Sequence, residues 1–228
     1  MTTVYGKLNN LLTAANTVTG ESDTTLTDAV QTLVDGYGGG GGGYTIDDIA
    51  STEPSGAITL TTPTVRNYAF HRNPYITSVT TNGTTTIGDN SFSYCTGLTT
   101  ANLAGVTTLS GAQSMSYCSN LTTLLIPDLV SINNQCFRNC KLTGILKLQS
   151  LTSGSGNSSF AANTLLTKVY FFKKISISWR ENLFNSCTGI TDIYVPWSDG
   201  EVSGAPWGAS NATVHYDTVY DSNDEPIV

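Results

Sequence analysis

Four of the five cysteines in the chain recur at the spacing of a repeating unit: Cys95, Cys118, Cys140 and Cys187. Thiolates hold zinc when four of them converge tetrahedrally, whereas side chains at equivalent places in successive repeats run parallel. We therefore predict a column of buried thiols that pack as small hydrophobic groups, with disulfides disfavoured by the same geometry. Cys136 falls outside this column and is expected to be the exposed thiol. The sequence thus predicts no metal site and no cofactor.

The remaining residues that could do chemistry form no recognisable set. His71 and His215 are the two histidines of the chain, and they fall at opposite ends of the repeated region, so spacing assembles no Ser-His-Asp or Cys-His arrangement. Asp199 and Glu201 share one turn, where a carboxylate pair could cleave a glycosidic bond. Carboxylates in a turn are more often simply solvated than catalytic. We therefore predict that the protein is not an enzyme.

One pattern recurs six times between about residues 65 and 196 and must position His71 and the cysteines. A bulky anchor recurs at intervals of 22, 23, 22, 23 and 24 residues: Phe70, Phe92, Met115, Phe137, Phe160 and Phe184. Three residues after each anchor stands a thiol or a small polar residue: Asn73, Cys95, Cys118, Cys140, Asn163 and Cys187. A fixed period of 20–50 residues indicates a solenoid, in which each unit stacks on its neighbours to bury a continuous core.

Each unit ends in a short segment whose residues alternate between apolar and outward positions, as Leu124, Leu125 and Ile126 do. Such alternation predicts a half-buried strand, and strands at equal spacing stack into one parallel ladder. The predicted outward row is Thr80, Asn102, Leu125, Lys147, Tyr170 and Tyr194, with Phe172 beside its C-terminal half. Aromatic and amphipathic side chains are typical of recognition surfaces. We therefore predict a face that binds a host or partner molecule, formed by Leu125, Lys147, Tyr170, Phe172 and Tyr194. The alternatives are a face packed against another subunit, or tyrosines that are there because they favour strands.

The second unit, Ile87-Gly88-Asp89-Asn90-Ser91-Phe92-Ser93-Tyr94-Cys95-Thr96-Gly97-Leu98, continues to Leu103 in the form I-G-x-x-[SA]-F-x-x-C-x-x-L-x-x-x-x-L. This pattern resembles the BspA-type leucine-rich repeat, a family that occurs in bacterial surface proteins and in proteins of bacteriophages. The resemblance covers roughly residues 58–216. It implies a mainly β fold, a leucine-rich-repeat solenoid of about six repeats of 22–24 residues with a parallel strand ladder. The first and fifth units depart from the pattern, with Asn73 and Asn163 in place of cysteine.

The N-terminal residues predict a separate small helical module. Apolar residues recur at helical spacing in two segments, before and after Gly20: Leu8, Leu11 and Leu12, then Leu26, Val30 and Leu33. The run Thr25 to Asp28 has the form of a capping box and Gly36 the place of a helix stop. Helices of about ten residues are marginal alone, so their apolar stripes must dock on something. The sequence of residues 15–38 resembles the N-terminal module of small phage structural proteins. This resemblance implies that the six leucine and valine residues dock to a virion.

We predict four segments: a helical attachment module (1–37), a glycine linker (38–43), a solenoid with terminal caps (44–216) and an acidic tail (217–228) that is either loose or an added strand. The linker follows from six consecutive glycines that lead into Tyr44 and lack the Lys-Ser/Thr ending of a phosphate-binding loop. Residues 194–209, which fall outside the repeats, also resemble the ending of repeat proteins from phages.

Composition narrows the classes of partner. The net charge is −7 with ten Lys and Arg, and only 12% of residues are charged, against about 25% in ordinary domains. This balance disfavours nucleic acid and anionic membranes. No run approaches the ~20 apolar residues of a membrane span, and the N-terminus does not read as a secretory signal.

These expectations together predict a non-enzymatic structural protein of a bacteriophage virion, made in the host cytoplasm, as a tail, fibre or capsid-decoration component. Its predicted partners are other virion proteins and a host-surface glycan or protein, and a homo-oligomer is a further expectation. The alternative is a bacterial cell-surface adhesin of the same repeat family, which should show an export route.

Overall fold

The structure is a computed structural model that describes residues 54–176 and 182–227. All of these residues belong to the second of two units into which the chain divides after Gly40. The predicted helices, their six docking residues and the glycine linker lie outside the described residues. The described ranges contain strands and turns and no α-helix, and so no helix in them could cross a membrane.

Fifteen short strands follow one another along the described ranges. They are β1 (Gly56–Leu60), β2 (Thr64–Val65), β3 (Ile76–Thr81), β4 (Thr86–Ile87), β5 (Thr100–Asn102), β6 (Thr108–Leu109), β7 (Thr123–Leu125), β8 (Ser131–Ile132), β9 (Thr143–Leu148), β10 (Ser153–Gly154), β11 (Leu165–Phe171), β12 (Asp192–Tyr194), β13 (Thr213–His215), β14 (Val219–Tyr220) and β15 (Pro226–Ile227). Thr, Val and Ile recur in these strands, as expected of residues that fit a pleated and half-buried surface.

The main strands stack in sequence order as a parallel ladder. β1, β3, β5 and β7 form one four-stranded sheet, and β9, β11, β12 and β13 form a second. The backbone N–H of Thr143 donates to the carbonyl of Thr122 at 3.1 Å and links the two sheets. The two-residue strands β2, β4, β6, β8 and β10 make a separate parallel sheet on another side of the coil. The prediction of a mainly β, parallel-stranded solenoid is thus confirmed.

The anchors form a column of stacked rings inside the coil. Phe70 stacks on Phe92 with centroids 4.8 Å apart, and Phe160 lies between Phe137 and Phe184 at 5.4 and 5.8 Å. The thiols form a second internal column, and all five cysteines are free and buried. Contrary to the expectation that it would be exposed, Cys136 is fully buried. It lies immediately before its anchor, where the equivalent residues of other coils are buried serines such as Ser91.

Tight corners close each coil beside the anchor. Non-glycine residues two positions before and after an anchor adopt positive φ, for example Asn90 (51°) and Tyr94 (61°) around Phe92. These corners bring backbones of adjacent coils so close that glycine is required at some points. A Cβ on Gly111 would collide with the backbone of Asp89 in the previous coil.

The C-terminal residues complete the solenoid and then fold back. Trp197 and Trp207 pack with Phe171 beyond the last repeat, and β13 adds the final strand of the ladder. The predicted acidic tail is not loose, because β14 and β15 pair antiparallel as a small hairpin. This hairpin, residues 219–227, lies against the outward side of the ladder.

Candidate interaction surface

The outward row of the ladder is aligned in the register that the sequence spacing predicts. Thr80 pairs with Asn102 and Asn102 with Leu125 in the first sheet. In the second sheet, Lys147 pairs with Tyr170 and Tyr170 with Tyr194. His215 continues the row one strand further, with its ring stacked on Tyr194 at 4.3 Å. Sequence reasoning missed His215 because β13 lies outside the repeat pattern.

The N-terminal half of this row is polar and open to solvent. Thr80 is exposed and Asn102 is half-buried, and neither side chain contributes to the core. Leu125 is 48% exposed at the end of this half, and Ile145 in the next strand is 44% exposed. These two aliphatic side chains are the apolar part of an otherwise polar face.

The C-terminal half of the row is covered by the hairpin of residues 219–227. Lys147 Nζ lies 3.0 Å from Glu225 Oε1, and Gln149 Nε2 donates to Asp224 Oδ2 at 2.8 Å. Tyr220 stacks on Phe172 at 4.1 Å, and its hydroxyl donates to the Phe171 carbonyl at 2.8 Å. The contacts of the hairpin therefore combine ion pairing, stacking and backbone capping.

The hairpin changes the environment of the tyrosines beneath it. Tyr170 is only 2% exposed and Tyr194 only 6%. Burial, together with the Glu225 carboxylate that accepts a hydrogen bond from the Tyr170 hydroxyl at 3.3 Å, raises the pKa of Tyr170 to about 12. Of the five residues predicted as a binding face, Leu125 is therefore exposed, Lys147 and Phe172 contact the hairpin, and the two tyrosines are buried.

The histidine and carboxylate side chains near the C-terminal end form hydrogen bonds and ion pairs with neighbouring side chains and backbone. His215 Nε2 lies 2.8 Å from Asp192 Oδ1, and this hydrogen bond holds the pKa of Asp192 below its usual value. Glu201 pairs with Lys174 at 3.3 Å and accepts from the Ser198 amide. Within residues 54–176 and 182–227, no three His, Cys, Asp or Glu side chains are placed to hold a metal ion.

The internal thiols donate hydrogen bonds to backbone carbonyl groups. Each cysteine of the column donates to the carbonyl of the anchor in the previous coil, for example Cys95 Sγ to Phe70 O and Cys118 Sγ to Phe92 O, both at 3.1 Å. Burial raises the pKa of Cys187 to about 11 and that of Cys136 to about 12. The thiols of Cys187 and Cys136 therefore stay protonated at neutral pH, and the cysteines of the column join neighbouring coils.

Comparison with known proteins identifies the repeat. Residues 63–191 match the model of the BspA type leucine-rich repeat region in six copies. No curated protein sequence matches the chain. Among solved structures, the leucine-rich repeat protein TpLRR of T. pallidum is 18% identical, with 80% of each chain covered and a TM-score of 0.49. A leucine-rich cell surface protein of Faecalibacterium prausnitzii is 12% identical over 73% of this chain and 80% of that one, with a TM-score of 0.30. A leucine-rich repeat protein of Bacteroides ovatus is 16% identical over 70% and 60%, with a TM-score of 0.27.

Proposed function

This chain belongs to the BspA-type leucine-rich repeat family, and on that premise we propose that it is a non-enzymatic structural protein of a bacteriophage virion. In this proposal the N-terminal module attaches the protein to the particle. The solenoid projects from the particle and presents its outward surfaces to a host molecule. The fold alone does not decide the function, so the proposal depends on the side chains that the coils leave outside.

The observation that supports a binding role is that the thiols and buried hydroxyl groups are used for packing between coils. Thiols and buried serines hold backbone carbonyls between coils, as Ser91 Oγ does with Arg66 O at 2.8 Å. The polar side chains inside the solenoid therefore serve the packing of one coil on the next. What differs from coil to coil is the outside, where residues at equivalent positions range from Thr80 to Asn102 to Leu125. A rigid ladder with variable outward residues supports recognition rather than turnover.

Two sequence features support the virion part of the proposal. Residues 15–38 and 194–209 resemble segments of phage structural proteins. The six apolar residues at helical spacing (Leu8, Leu11, Leu12, Leu26, Val30 and Leu33) are proposed to dock on other virion proteins. The face available for the host is then centred on Leu125, next to the part of the row where Lys147 and Phe172 contact the hairpin.

The test is immunolabelling of particles and envelopes from lysed producing cells, with an antibody raised against residues 58–216. The proposal expects label on intact particles, and loss of that label when residues 1–37 are deleted from the gene in the phage. A matched control replaces the solvent-exposed Asp199 with Asn in the same background and keeps the label. Label on the bacterial envelope with none on particles would instead establish the alternative, a cell-surface adhesin.

A further inference from the structure

The chain contains a single Asn-Gly dipeptide, Asn82-Gly83. It forms the turn that follows β3 and precedes β4, and both of its residues are exposed. Gly83 adopts a left-handed backbone conformation with a φ of 90°, and Gly105 at the equivalent turn of the next coil has a φ of 85°. Gly105 follows Ala104, so of these two turns only the first has a side-chain amide directly before its glycine.

The side-chain amide of Asn82 is not used to join coils, in contrast to the amides of two other exposed asparagines. Asn120 Nδ2 donates to Thr96 O at 2.8 Å. Asn211 Nδ2 donates to Thr188 O at 3.1 Å. Both of these amides are thus held on the previous coil. Within residues 54–176 and 182–227, the Asn82 side chain has no hydrogen-bond partner, and it can therefore turn toward its own backbone.

The backbone nitrogen that follows Asn82 is also unoccupied. Gly83 N donates to no acceptor among the described residues. After Asn120, the amide of Leu121 donates to Cys118 O at 2.9 Å. After Asn211, the amide of Ala212 donates to Ala209 O at 2.9 Å. Gly83 in addition has no Cβ that could shield its nitrogen. A nucleophilic nitrogen and an electrophilic side-chain carbonyl therefore adjoin in one exposed turn.

We propose that Asn82 is a modification site at which the chain deamidates without an enzyme. The Gly83 nitrogen attacks Cγ of Asn82, the new C–N bond closes a succinimide ring, and the bond between Cγ and Nδ2 breaks. Nδ2 leaves as ammonia and takes the proton that the Gly83 nitrogen loses. Water then opens the ring at either of its carbonyl carbons. Opening at Cγ gives aspartate, and opening at the backbone carbonyl gives isoaspartate, whose main chain runs through Cβ.

Isoaspartate lengthens the backbone of a turn that is attached to the previous coil on both sides. Asn82 N donates to Leu60 O at 2.7 Å, before the glycine. Thr85 N donates to Pro63 O at 2.9 Å, after it. An additional backbone atom between these two hydrogen bonds changes the distance that the turn spans. We therefore expect the isoaspartate form to weaken at least one of them, and the first coils to unfold at a lower urea concentration.

Both products also add a negative charge beside the open half of the outward row. Asn82 follows β3, whose residue Thr80 begins that row. The chain already has a net charge of −7, and deamidation makes it more negative. The modification thus alters the charge at one end of the polar face as the protein ages. It does not depend on the proposed function, since it requires only the folded turn and water.

The test is incubation of the full folded chain in warm, mildly alkaline buffer, because base removes the proton of the attacking nitrogen. Digestion with pepsin at acid pH, followed by mass spectrometry, then locates each amide that has become an acid. Asn82 should convert at least roughly tenfold faster than Asn120 and Asn211, because its glycine neighbour leaves the attacking nitrogen unshielded. Enzymatic methylation of isoaspartate should label the peptide that holds residue 82.

Two variants separate the turn from the rest of the chain. Asn82→Gln should abolish the conversion at this turn, because the longer side chain would have to close a larger ring. Asn120→Gln is the matched control and should leave the rate at Asn82 unchanged. Circular dichroism first establishes that the incubated protein and both variants are folded.

Equal rates at Asn82, Asn120 and Asn211 would overturn the proposal, because the contacts of the turn would then not decide the reaction. It would fail equally if Asn82 stayed intact in the folded chain over a period in which a synthetic peptide of residues 78–87 deamidates. That result would mean that the fold protects the turn instead of exposing it.

Discussion

At the scale of single residues, the third position after each anchor determines how coils are joined. A cysteine there donates to the anchor carbonyl of the previous coil, as Cys187 Sγ does to Phe160 O at 3.0 Å. The fifth unit replaces the thiol by Asn163, whose amide donates to Phe137 O at 2.9 Å and to Phe160 O at 2.7 Å. Its carbonyl also accepts from the Leu142 amide at 3.1 Å. The departure from the repeat pattern therefore preserves the contact and strengthens it.

This difference predicts unequal costs of substitution. Asn163→Ala should lower the free energy of unfolding by about 3 kcal/mol, because it removes the donor to Phe137 O and the acceptor for Leu142 N in a buried place. Cys118→Ala should cost only about 1 kcal/mol, since the Phe92 carbonyl still accepts from the Cys95 amide at 3.1 Å. Urea denaturation followed by circular dichroism measures both. Equal costs, or a larger cost for the cysteine, would contradict the assignment.

Burial predicts that the thiols are inert in the folded protein. With the pKa of Cys187 raised to about 11 and that of Cys136 to about 12, almost no thiolate forms at a pH of about 8. Because all five cysteines are buried, Ellman's reagent should modify none of them in native buffer and all five in concentrated guanidinium chloride. Rapid reaction of one native thiol would place that cysteine outside the core, and Cys136→Ser would identify whether it is Cys136.

At the scale of elements, the C-terminal hairpin of residues 219–227 controls access to half of the outward row. It is joined to the ladder by contacts at both of its ends, from Tyr220 to Phe172 and from Glu225 to Lys147. These contacts pair an apolar ring stack with a charge pair that is partly exposed, and exposed pairs contribute little alone. The stacking and burial of Tyr220 are therefore what hold the hairpin in place.

Removing the hairpin should return Tyr170 to ordinary titration. Deletion of residues 219–228 removes the two largest causes of its raised pKa, first the burial and then the Glu225 carboxylate, and leaves Tyr194 and Asp192 in place, so the pKa should fall from about 12 toward 10. Glu225→Gln removes only the second cause and should lower the pKa less. Tyrosinate absorbance against pH measures this, with Tyr170→Phe in each background to isolate the signal.

Asp199→Asn is the matched control for that titration, because Asp199 faces Tyr216 rather than Tyr170. It should leave the pKa of Tyr170 unchanged. A Tyr170 pKa that stays near 12 after the deletion would mean that the ladder, and not the hairpin, buries the ring.

The sequence predicted the elements that repeat, because their spacing is visible in the chain, and it did not predict contacts between distant segments. The period of the anchors determines the outward register, because a coil that returns to the same place aligns every equivalent residue. The burial of Tyr170 was not predictable, since it depends on contacts with the hairpin such as that with Glu225, which is 55 positions away. No periodic signal marks such contacts. The prediction that Cys136 is exposed was wrong because Cys136 occupies the position directly before the anchor, which other coils fill with a buried serine and which the sequence analysis did not treat as part of the repeat.

At the scale of the whole solenoid, the main ladder of the described residues is interrupted at its centre, between β7 and β9. In the described ladder, β7 pairs only with β5, and β9 pairs only with β11. Single backbone bonds such as Thr143 N to Thr122 O cross between the two sheets. The sheet of two-residue strands continues across this junction, where β8 pairs with β10, and turn bonds such as Met115 N to Cys136 O also cross it. These contacts must therefore carry much of the coupling between the two halves. Solenoid stability is a sum of repeat terms and nearest-neighbour interfaces, so a weak central interface limits cooperativity.

This predicts different outcomes for the same substitution at two anchors. Phe137 is fully buried next to that junction and stacks on Phe160, so Phe137→Ala should cost about 3–5 kcal/mol. It should also separate one urea transition into two, because it removes packing where the strands are least paired. Phe70→Ala at the first coil should cost less and leave a single transition. The measurement compares far-UV circular dichroism with the fluorescence of Trp197 and Trp207, which lie in the C-terminal cap. Superimposable curves from both probes in Phe137→Ala would mean that the β8–β10 pair and the turn bonds are enough to couple the two halves, and the central junction would then not be the weak point of the solenoid.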